Sequence, residues 1–356
     1  MTTIRLPGLI DSHVHMRQPG AEHKETWDTG TAAALSGGFT TVLAMPNTSP
    51  AVVDESSLDL ALEIAGRGAR CDYAHFLGAG FGNTDSVGKS ADRGVGLKMY
   101  LGDTFGDLRL DDPRLWKAHL ERWPEDSTVA VHAEGSSLKT VIDIAKSLDR
   151  AIHVCHVAGA ADLFMIAGAK ERGVAVTCEV TPHHLFLDRT TDLPPGRAEV
   201  RPRLGTPEDR SALWDNLDVV DCFATDHAPH TLVEKDGTNP PPGFPGLETA
   251  LPLLLTAIHD GMLTLDELIE RLHVFPAELF GLPVDQDTWV EVDVDREFQI
   301  ACSGESRAGW TPFVGIPVRG IVTRVVIGGV TTFEKGQVVA AAGTGRDLRS
   351  ERKRVE

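Results

Sequence analysis

Short apolar runs rich in Val, Ile, Leu and Ala recur along the chain at Leu9 to His15, Thr40 to Met45, Tyr73 to Gly78, Val95 to Leu101, Thr128 to His132, Ala151 to Val157, Val174 to Val180 and Val219 to Ala224. Between them, Glu25 to Ser36, Ser57 to Arg67, Leu138 to Leu148, Ala160 to Arg172 and Pro207 to Asn216 place apolar residues at helical spacing. Strand alternating with helix predicts an α/β fold with a parallel sheet, and eight such units close a (β/α)8 barrel. Gly37-Gly38 before Thr40 and Gly173 before Val174 read as helix caps that lead into the next strand.

After Asp226 the pattern breaks at a Pro/Gly-rich stretch, Asn239 to Gly246, and helices resume at Glu248 to His259 and Thr264 to Leu272. From Trp289 onward Val290, Val292 and Val294 alternate with acids, and Gly320 to Val326 and Val338 to Ala341 read as further strands. The expected organisation is a barrel over 1–285, a small β layer on its flank over 286–345, and a charged, frayed tail over 346–356. There is no internal repeat.

The 356 residues suffice for one large barrel plus a small appendage. A formal net charge of −18 argues against nucleic-acid or anionic-membrane partners, which bind through clustered Lys and Arg. The five cysteines, Cys71, Cys155, Cys178, Cys222 and Cys302, are scattered with no Cys-x-x-Cys pair, which points to free thiols in a reducing cytoplasm. The longest apolar stretch, near Leu251 to Ile258, is too short to span a bilayer.

Chemistry enters at the strand ends. His13 and His15, one valine apart on a strand, turn both imidazoles to one face. Lys98, His132, His156 and Asp226 each stand at or just past the end of a later apolar run, where a barrel carries its active site. Four imidazoles and a carboxylate are ligands suited to Zn²⁺ or a similar divalent ion. Most of the other histidines, among them His75, His119, His259 and His273, read as hydrogen-bonded structural residues. Lys98 has two readings. Paired with Glu134 or Asp226 it is an ion-pair partner; desolvated, it is a neutral amine able to take up CO₂ as a carbamate that bridges two metals.

The segments Leu6-Pro-Gly-Leu-Ile-Asp-Ser-His-Val-His-Met-Arg17, Ala44-Met-Pro-Asn-Thr48, Gly96-Leu-Lys-Met-Tyr-Leu101, Val131-His-Ala-Glu134, Ile152-His-Val-Cys-His156, Cys178-Glu-Val-Thr-Pro-His-His184, Asp221-Cys-Phe-Ala-Thr-Asp-His-Ala-Pro-His230 and Pro240-Pro-Pro-Gly-Phe-Pro-Gly-Leu-Glu248 resemble the dihydroorotases of the amidohydrolase superfamily. The likeness spans nearly the whole chain and is greatest to the dihydroorotase domain of the large multifunctional pyrimidine-synthesis polypeptide. It implies the reversible, zinc-dependent cyclisation of N-carbamoyl-L-aspartate to L-dihydroorotate. Two zinc ions are implied, one on His13, His15 and Asp226, the other on His132 and His156, bridged by carboxylated Lys98. A third zinc on Cys155, Glu179 and His13 is also implied. Since neighbours 155 and 156 on a strand point to opposite faces, both can be ligands only if the strand has ended.

The resemblance further assigns Asp226 as the proton-transferring base. It assigns Arg17, Asn47 and His230 to the substrate carboxylate, and Arg201 and the backbone near Pro242 and Gly243 to the ring. Asp103 to Asp107, with Thr104 and Phe105, resembles the family's mobile substrate loop. Asn47 also reads as a turn-former after Pro46, and Arg201 as a plain surface charge. Gln18 and Gly102-Asp103 depart from the family pattern, which bears on loop dynamics rather than on ligands. The chain begins a few residues before its first strand, without the amino-terminal β segment of many free-standing relatives, an expectation of a compact variant or a domain of a larger polypeptide. A homodimer, and association or fusion with aspartate transcarbamoylase or carbamoyl-phosphate synthetase, are implied as partners. Two rivals share the barrel. A hydantoin, dihydropyrimidine or allantoin hydrolase would share the metal ligands but have no use for the Arg17, Asn47 and His230 trio; a metal-free scaffold would have lost ligands, and here all are present.

Overall fold

The computed structural model describes residues 2–104, 106–302 and 304–350. Its strands are Thr3–Pro7 (β1), Leu9–Val14 (β2), Phe39–Ala44 (β3), Asp72–His75 (β4), Leu77–Gly78 (β5), Leu97–Tyr100 (β6), Val129–His132 (β7), Ile152–Val154 (β8), Val176–Val180 (β9), Cys222–Phe223 (β10), Trp289–Gln299 (β11), Pro317–Ile327 (β12), Val330–Glu334 (β13) and Gln337–Val338 (β14). The strands from β2 to β10 run parallel in chain order, with β4 and β5 as two pieces of one kinked strand. Phe76 N donates to Ala44 O (2.9 Å) and Leu77 N to Gly96 O (3.0 Å), which carries the sheet across that kink. The ring closes where Val14 bridges His227 in parallel and His15 N donates to His227 O at 2.8 Å. Asp11 stitches the same seam: it accepts from Thr225 Oγ1 (2.5 Å) and Thr225 N (3.1 Å), and burial lifts its pKa to about 7. The expected (β/α)8 barrel is therefore the observed architecture.

Helices begin where the sequence offers caps. Thr26 and Thr29 form a reciprocal capping box ahead of Trp27–Ser36, and Asp54 with Ser57 does the same for Glu55–Gly68. The helix Pro113–Arg122 escaped the periodicity reading because only Trp116, His119 and Leu120 are buried on it. Its signal was the Asp112-Pro113 start, with Asp112 accepting from Arg114 N and proline in the first turn. Two expected strands are much shorter than their apolar runs: Ala151 to Val157 yields only β8, and Val219 to Ala224 only β10.

The barrel's amino-terminal end is filled by Ile10, Leu43, Phe76 and Ala130, which pack with Phe280 and Leu348. Phe76 and Phe280 meet edge to face, with ring centroids 5.6 Å apart. On the flank lies an antiparallel sheet ordered β1-β11-β12-β13-β14, with Ile4 opposite Val292. The chain thus has a short amino-terminal β segment after all, paired with a strand nearly three hundred residues away, a partnership no local pattern reveals. The tail expectation is corrected for 346–350. Leu348 and Arg349 are buried, Arg349 Nη2 donates to Phe280 O (2.7 Å), and Arg346 pairs with Asp72 (2.6 Å). Residues 351–356 lie outside the described ones. Cys302 is exposed on a loop, while the other four cysteines are buried.

Candidate active site

The polar residues picked out from sequence converge at the carboxyl ends of the barrel strands. A register shift between Asp11 and Val14 breaks the alternation of β2, so that Ile10 and Ser12 face inward and His13 and His15 do as well. The His13 and His15 ring centroids lie 5.4 Å apart, and both Nε2 atoms approach Asp226 Oδ1, at 3.3 and 3.1 Å. His13 Nδ1 meets Glu179 Oε1 at 2.5 Å, and His15 Nδ1 meets Asn47 Oδ1 at 2.7 Å. With both Nδ1 atoms engaged by these oxygens, each Nε2 faces the Asp226 carboxylate, so that a positive charge, a proton or a metal ion, is what joins ring to carboxylate.

The strand β8 ends at Val154, and His156 takes a left-handed backbone with φ +39°. Cys155 and His156 therefore both reach the site, which answers the objection from strand alternation. His156 Nε2 lies 2.9 Å from His132 Nδ1, while His156 Nδ1 is buried with no hydrogen-bond partner. Donor atoms of His13, His156 and Asp226 lie within 4.8 Å of one another, as do those of His13, Cys155 and Glu179. Such a set of imidazole, thiol and carboxylate donors fits a divalent metal. Lys98 is fully buried, with Nζ 2.7 Å from Cys155 Sγ. Among the described residues it has no carboxylate partner, so the ion-pair reading with Glu134 or Asp226 is not what the structure adopts.

Electrostatics agree with metal-ready protonation. Burial lowers His15 to about 4 and, with Lys98 nearby, His132 to about 3, so both rings are neutral. Burial opposes ionisation of Asp226, but His13 and His15 outweigh it and keep the carboxyl below its ordinary range. For Glu179 burial is likewise outweighed, by His13 and His153. Burial raises the Cys155 thiol. Backbone strain gathers here too: Arg17 (φ +57°), His156 (φ +39°) and Asp226 (φ +46°) adopt a region that costs roughly 1–3 kcal/mol each for residues with a side chain.

Above this cluster opens a cavity of about 640 Å³. Arg17, Asn47, Thr104, Arg201, His230 and the Pro242-Gly243 backbone line it, while Phe105 lies outside the described residues. Arg17 Nε donates to Pro229 O (3.2 Å), and its Nη2 stands 3.1 Å from His230 Nε2. Arg201 is no plain surface charge: it is largely buried, donates to Glu199 Oε2 (2.9 Å) and pairs with Asp103 (3.1 Å). Asp103, a departure from the family pattern, thus reaches an expected substrate residue. Gln18, the other departure, accepts from Trp27 N (3.1 Å) at the start of a helix.

Sequence reasoning passed over three residues. Lys24 Nζ lies 3.2 Å from His230 Nδ1, and Pro242 O lies 3.0 Å from His230 Nε2. Lys24 Nζ only donates and so faces the Nδ1 side of His230, whereas Nε2 stands between an acceptor, Pro242 O, and a donor, Arg17 Nη2. His183, buried beside His184 with Nε2 unpartnered, carried the Pro-His-His signal but no assigned role. His153 supports Glu179, with Nε2 3.3 Å from its Oε2. His75 and His273, by contrast, bond to the carbonyls of Phe76 and Gly8, as structural histidines do.

A family model described as dihydro-orotase-like matches residues 2–74. The chain is 50% identical over 359 residues to the multifunctional protein pyr1-3 of Dictyostelium discoideum, an alignment covering 99% of this chain and 16% of that protein. It is 35% identical over 349 residues to the dihydroorotase of Pyrococcus furiosus, covering 94% of this chain and 82% of that one. Among solved structures, the inactive dihydroorotase-like domain of a CAD-like multifunctional protein from Chaetomium thermophilum is similar, with TM-score 0.84 and 29% identity, covering 98% of this chain and 100% of that one. The chain spans about a sixth of the length of the multifunctional relative.

Proposed function

The chain belongs to the dihydroorotase family of cyclic amide hydrolases, and from that membership we propose that it catalyses the reversible cyclisation of N-carbamoyl-L-aspartate to L-dihydroorotate in pyrimidine synthesis. The observation that carries this reading is the stacking of two layers: metal-suited donors around Asp226 below, and Arg17, Asn47 and His230 in the cavity wall above. A neutral ring has no use for the upper trio; a substrate bearing a carboxylate does.

In this reading His13, His15 and Asp226 would hold one zinc ion and His132 and His156 another, carboxylated Lys98 would be a ligand beside them, and Cys155 and Glu179 with His13 would offer a third place. Zinc bound there would polarise the ring carbonyl and make a water acidic enough to attack it near neutral pH. Asp226, held ionised, takes the proton of the attacking water and delivers it to the departing ring nitrogen. In the synthetic direction it collects a proton from the carbamoyl NH₂ as that nitrogen attacks the side-chain carboxyl. Arg17, Asn47 and His230 orient the substrate carboxylate, Arg201 and the Pro242-Gly243 backbone hold the ring, and the loop that carries Thr104 excludes water.

Lys98→Ala tests the reading: zinc content and dihydroorotate hydrolysis are both expected to be lost, whereas near-normal activity removes the bridging carbamate. Hydrolysis of hydantoin without turnover of carbamoyl aspartate would transfer the assignment to the hydantoinase-type rival. Retention of all proposed ligands separates this chain from a metal-free scaffold, and absence of bound zinc in protein prepared without chelators would reverse that. As partners we propose a second copy of this chain and, given the multifunctional relatives, aspartate transcarbamoylase or carbamoyl-phosphate synthetase domains. Among the described residues no helix is long and apolar enough to cross a membrane, and a cytoplasmic setting is part of the proposal.

A further inference from the structure

Lys235 takes no part in the chemistry above, yet it is fully buried at the end of the short helix Leu232–Lys235. Its Nζ donates to three backbone carbonyls, those of Glu199 (2.7 Å), Pro241 (2.9 Å) and Gly243 (3.3 Å). The same ammonium lies over the rings of Phe244 and Trp310, 5.5 and 5.6 Å from their centroids. A buried lysine is costly unless every N–H finds an acceptor, and here three N–H groups meet three carbonyls. Burial pulls its pKa down to about 8, with the Glu199 carboxylate opposing and the Arg201 guanidinium adding to the fall; His230 faces it as well.

What these carbonyls belong to is informative. Pro241 and Gly243 bracket Pro242 in one wall of the substrate cavity, and Glu199 stands two residues before Arg201 in the wall beside it. The first wall is poorly able to tie itself down, because Pro240, Pro241 and Pro242 have no N–H to donate. At Gly243 (φ +141°) a Cβ would fall 2.5 Å from Ala228 O, so no side chain can be recruited there either. One backbone bond, Gly243 N to Glu199 O at 3.0 Å, joins the two walls directly. Of the other carbonyls in the first wall, that of Pro242 meets His230 Nε2 at 3.0 Å, while those of Pro241 and Gly243 accept from Lys235.

We propose that Lys235 is a positioning residue that pins the Pro241-to-Gly243 wall to the Glu199-to-Arg201 wall, thereby setting how tightly the cavity holds its substrate while leaving bond making to other groups. The inference rests on the cyclic-amide reading above, and it concerns affinity. Lys235 touches none of the proposed metal ligands, so its removal should separate KM from kcat.

The experiment compares the zinc-loaded full chain with Lys235→Met, Lys235→Gln and Lys235→Arg. Lys235→Met is expected to raise KM for dihydroorotate and for carbamoyl aspartate by about tenfold, the loss of about one hydrogen bond's worth of uniform binding, with kcat and zinc content unchanged. Amide hydrogen exchange should quicken in 197–203 and 239–244 together, and Lys235→Arg, which keeps a cation and several donors, should restore much of the KM. An unchanged KM in a folded variant overturns the proposal, as does a loss confined to kcat. If Lys235→Met fails to fold, the same split is read from Lys235→Gln and Lys235→Arg, with the same two outcomes deciding. Should the unaltered chain turn over neither substrate, the cyclic-amide reading falls by itself; exchange that quickens in both walls then upholds the clamp, and exchange that is unmoved or quickens in one wall only overturns it.

Discussion

The two ends of the barrel share the same strands and have opposite interiors. At the amino-terminal end Ile10, Leu43, Phe76 and Ala130 close on Phe280 and Leu348 in an apolar plug. At the carboxyl end β2 and β7, two to five residues further on, deliver His13, His15 and His132, and neighbouring strands of the same ring add the buried Lys98 and Asp226. The first end gathers apolar burial, whereas the second gathers desolvated polar groups and the left-handed backbones of Arg17, His156 and Asp226. Strain and buried charge persist only where the surrounding structure over-determines them. The plug and the strand ladder supply that determination, so the end that binds is stabilised by the end that does not.

The largest effect expected from this contrast is that of Asp226→Asn. It keeps the side chain's size but removes a proton carrier, and kcat for dihydroorotate hydrolysis should fall about 10³-fold or more. The urea midpoint of the variant should drop far less than that of a plug variant; a larger drop would invert the contrast. Next comes Phe280→Ala at the opposite end, which should cost about 3–5 kcal/mol in chemical denaturation while leaving kcat per folded molecule within about twofold. A matching collapse of kcat would mean the two ends are not separable.

Asn47→Ala probes the border between ligand support and substrate binding. Its Oδ1 is the acceptor for His15 Nδ1, so chelator competition should show zinc held about tenfold more weakly. Unaltered zinc affinity would confine Asn47 to the cavity. A last effect is expected from the titration of Lys235. Its folded pKa is near 8 against an ordinary 10.5, so between those values the unfolded chain binds the proton more fully than the folded one. Stability contributed by this group therefore rises with pH across that window and is flat below it. The difference in unfolding free energy between the unaltered chain and Lys235→Met should grow in favour of the former from pH 8 to 10.5. A constant difference would show that the buried amine does not titrate there.

Much of the barrel was legible because its signals are local. Apolar runs and glycine caps such as Gly37-Gly38 act within a few residues of each other. Pro113–Arg122 was missed because the helix lies half on the surface, with too thin an apolar stripe to register. Lys24 and Lys235 escaped notice because a lysine in sequence looks solvated, and only the carbonyls or imidazole it meets across the fold reveal otherwise. Arg346 to Arg349 looked like a charged tail, since neither Asp72 nor the Phe280 carbonyl is visible from there.

By itself the chain's sequence determined the strand-helix alternation, the residue types at the strand ends and the family, since each follows from spacing and from segments that read the same in any context. Only the tertiary structure decided that Cys155 and His156 could serve one site, because that needed β8 to stop at Val154 and the backbone to turn left-handed. It likewise decided that Asn47 would hold His15, and that a lysine would sit fully buried between two walls of a cavity. The physical reason is common to these cases: hydrogen-bond partners and desolvation are set by which distant segments meet, and that information exists only once the ring has closed.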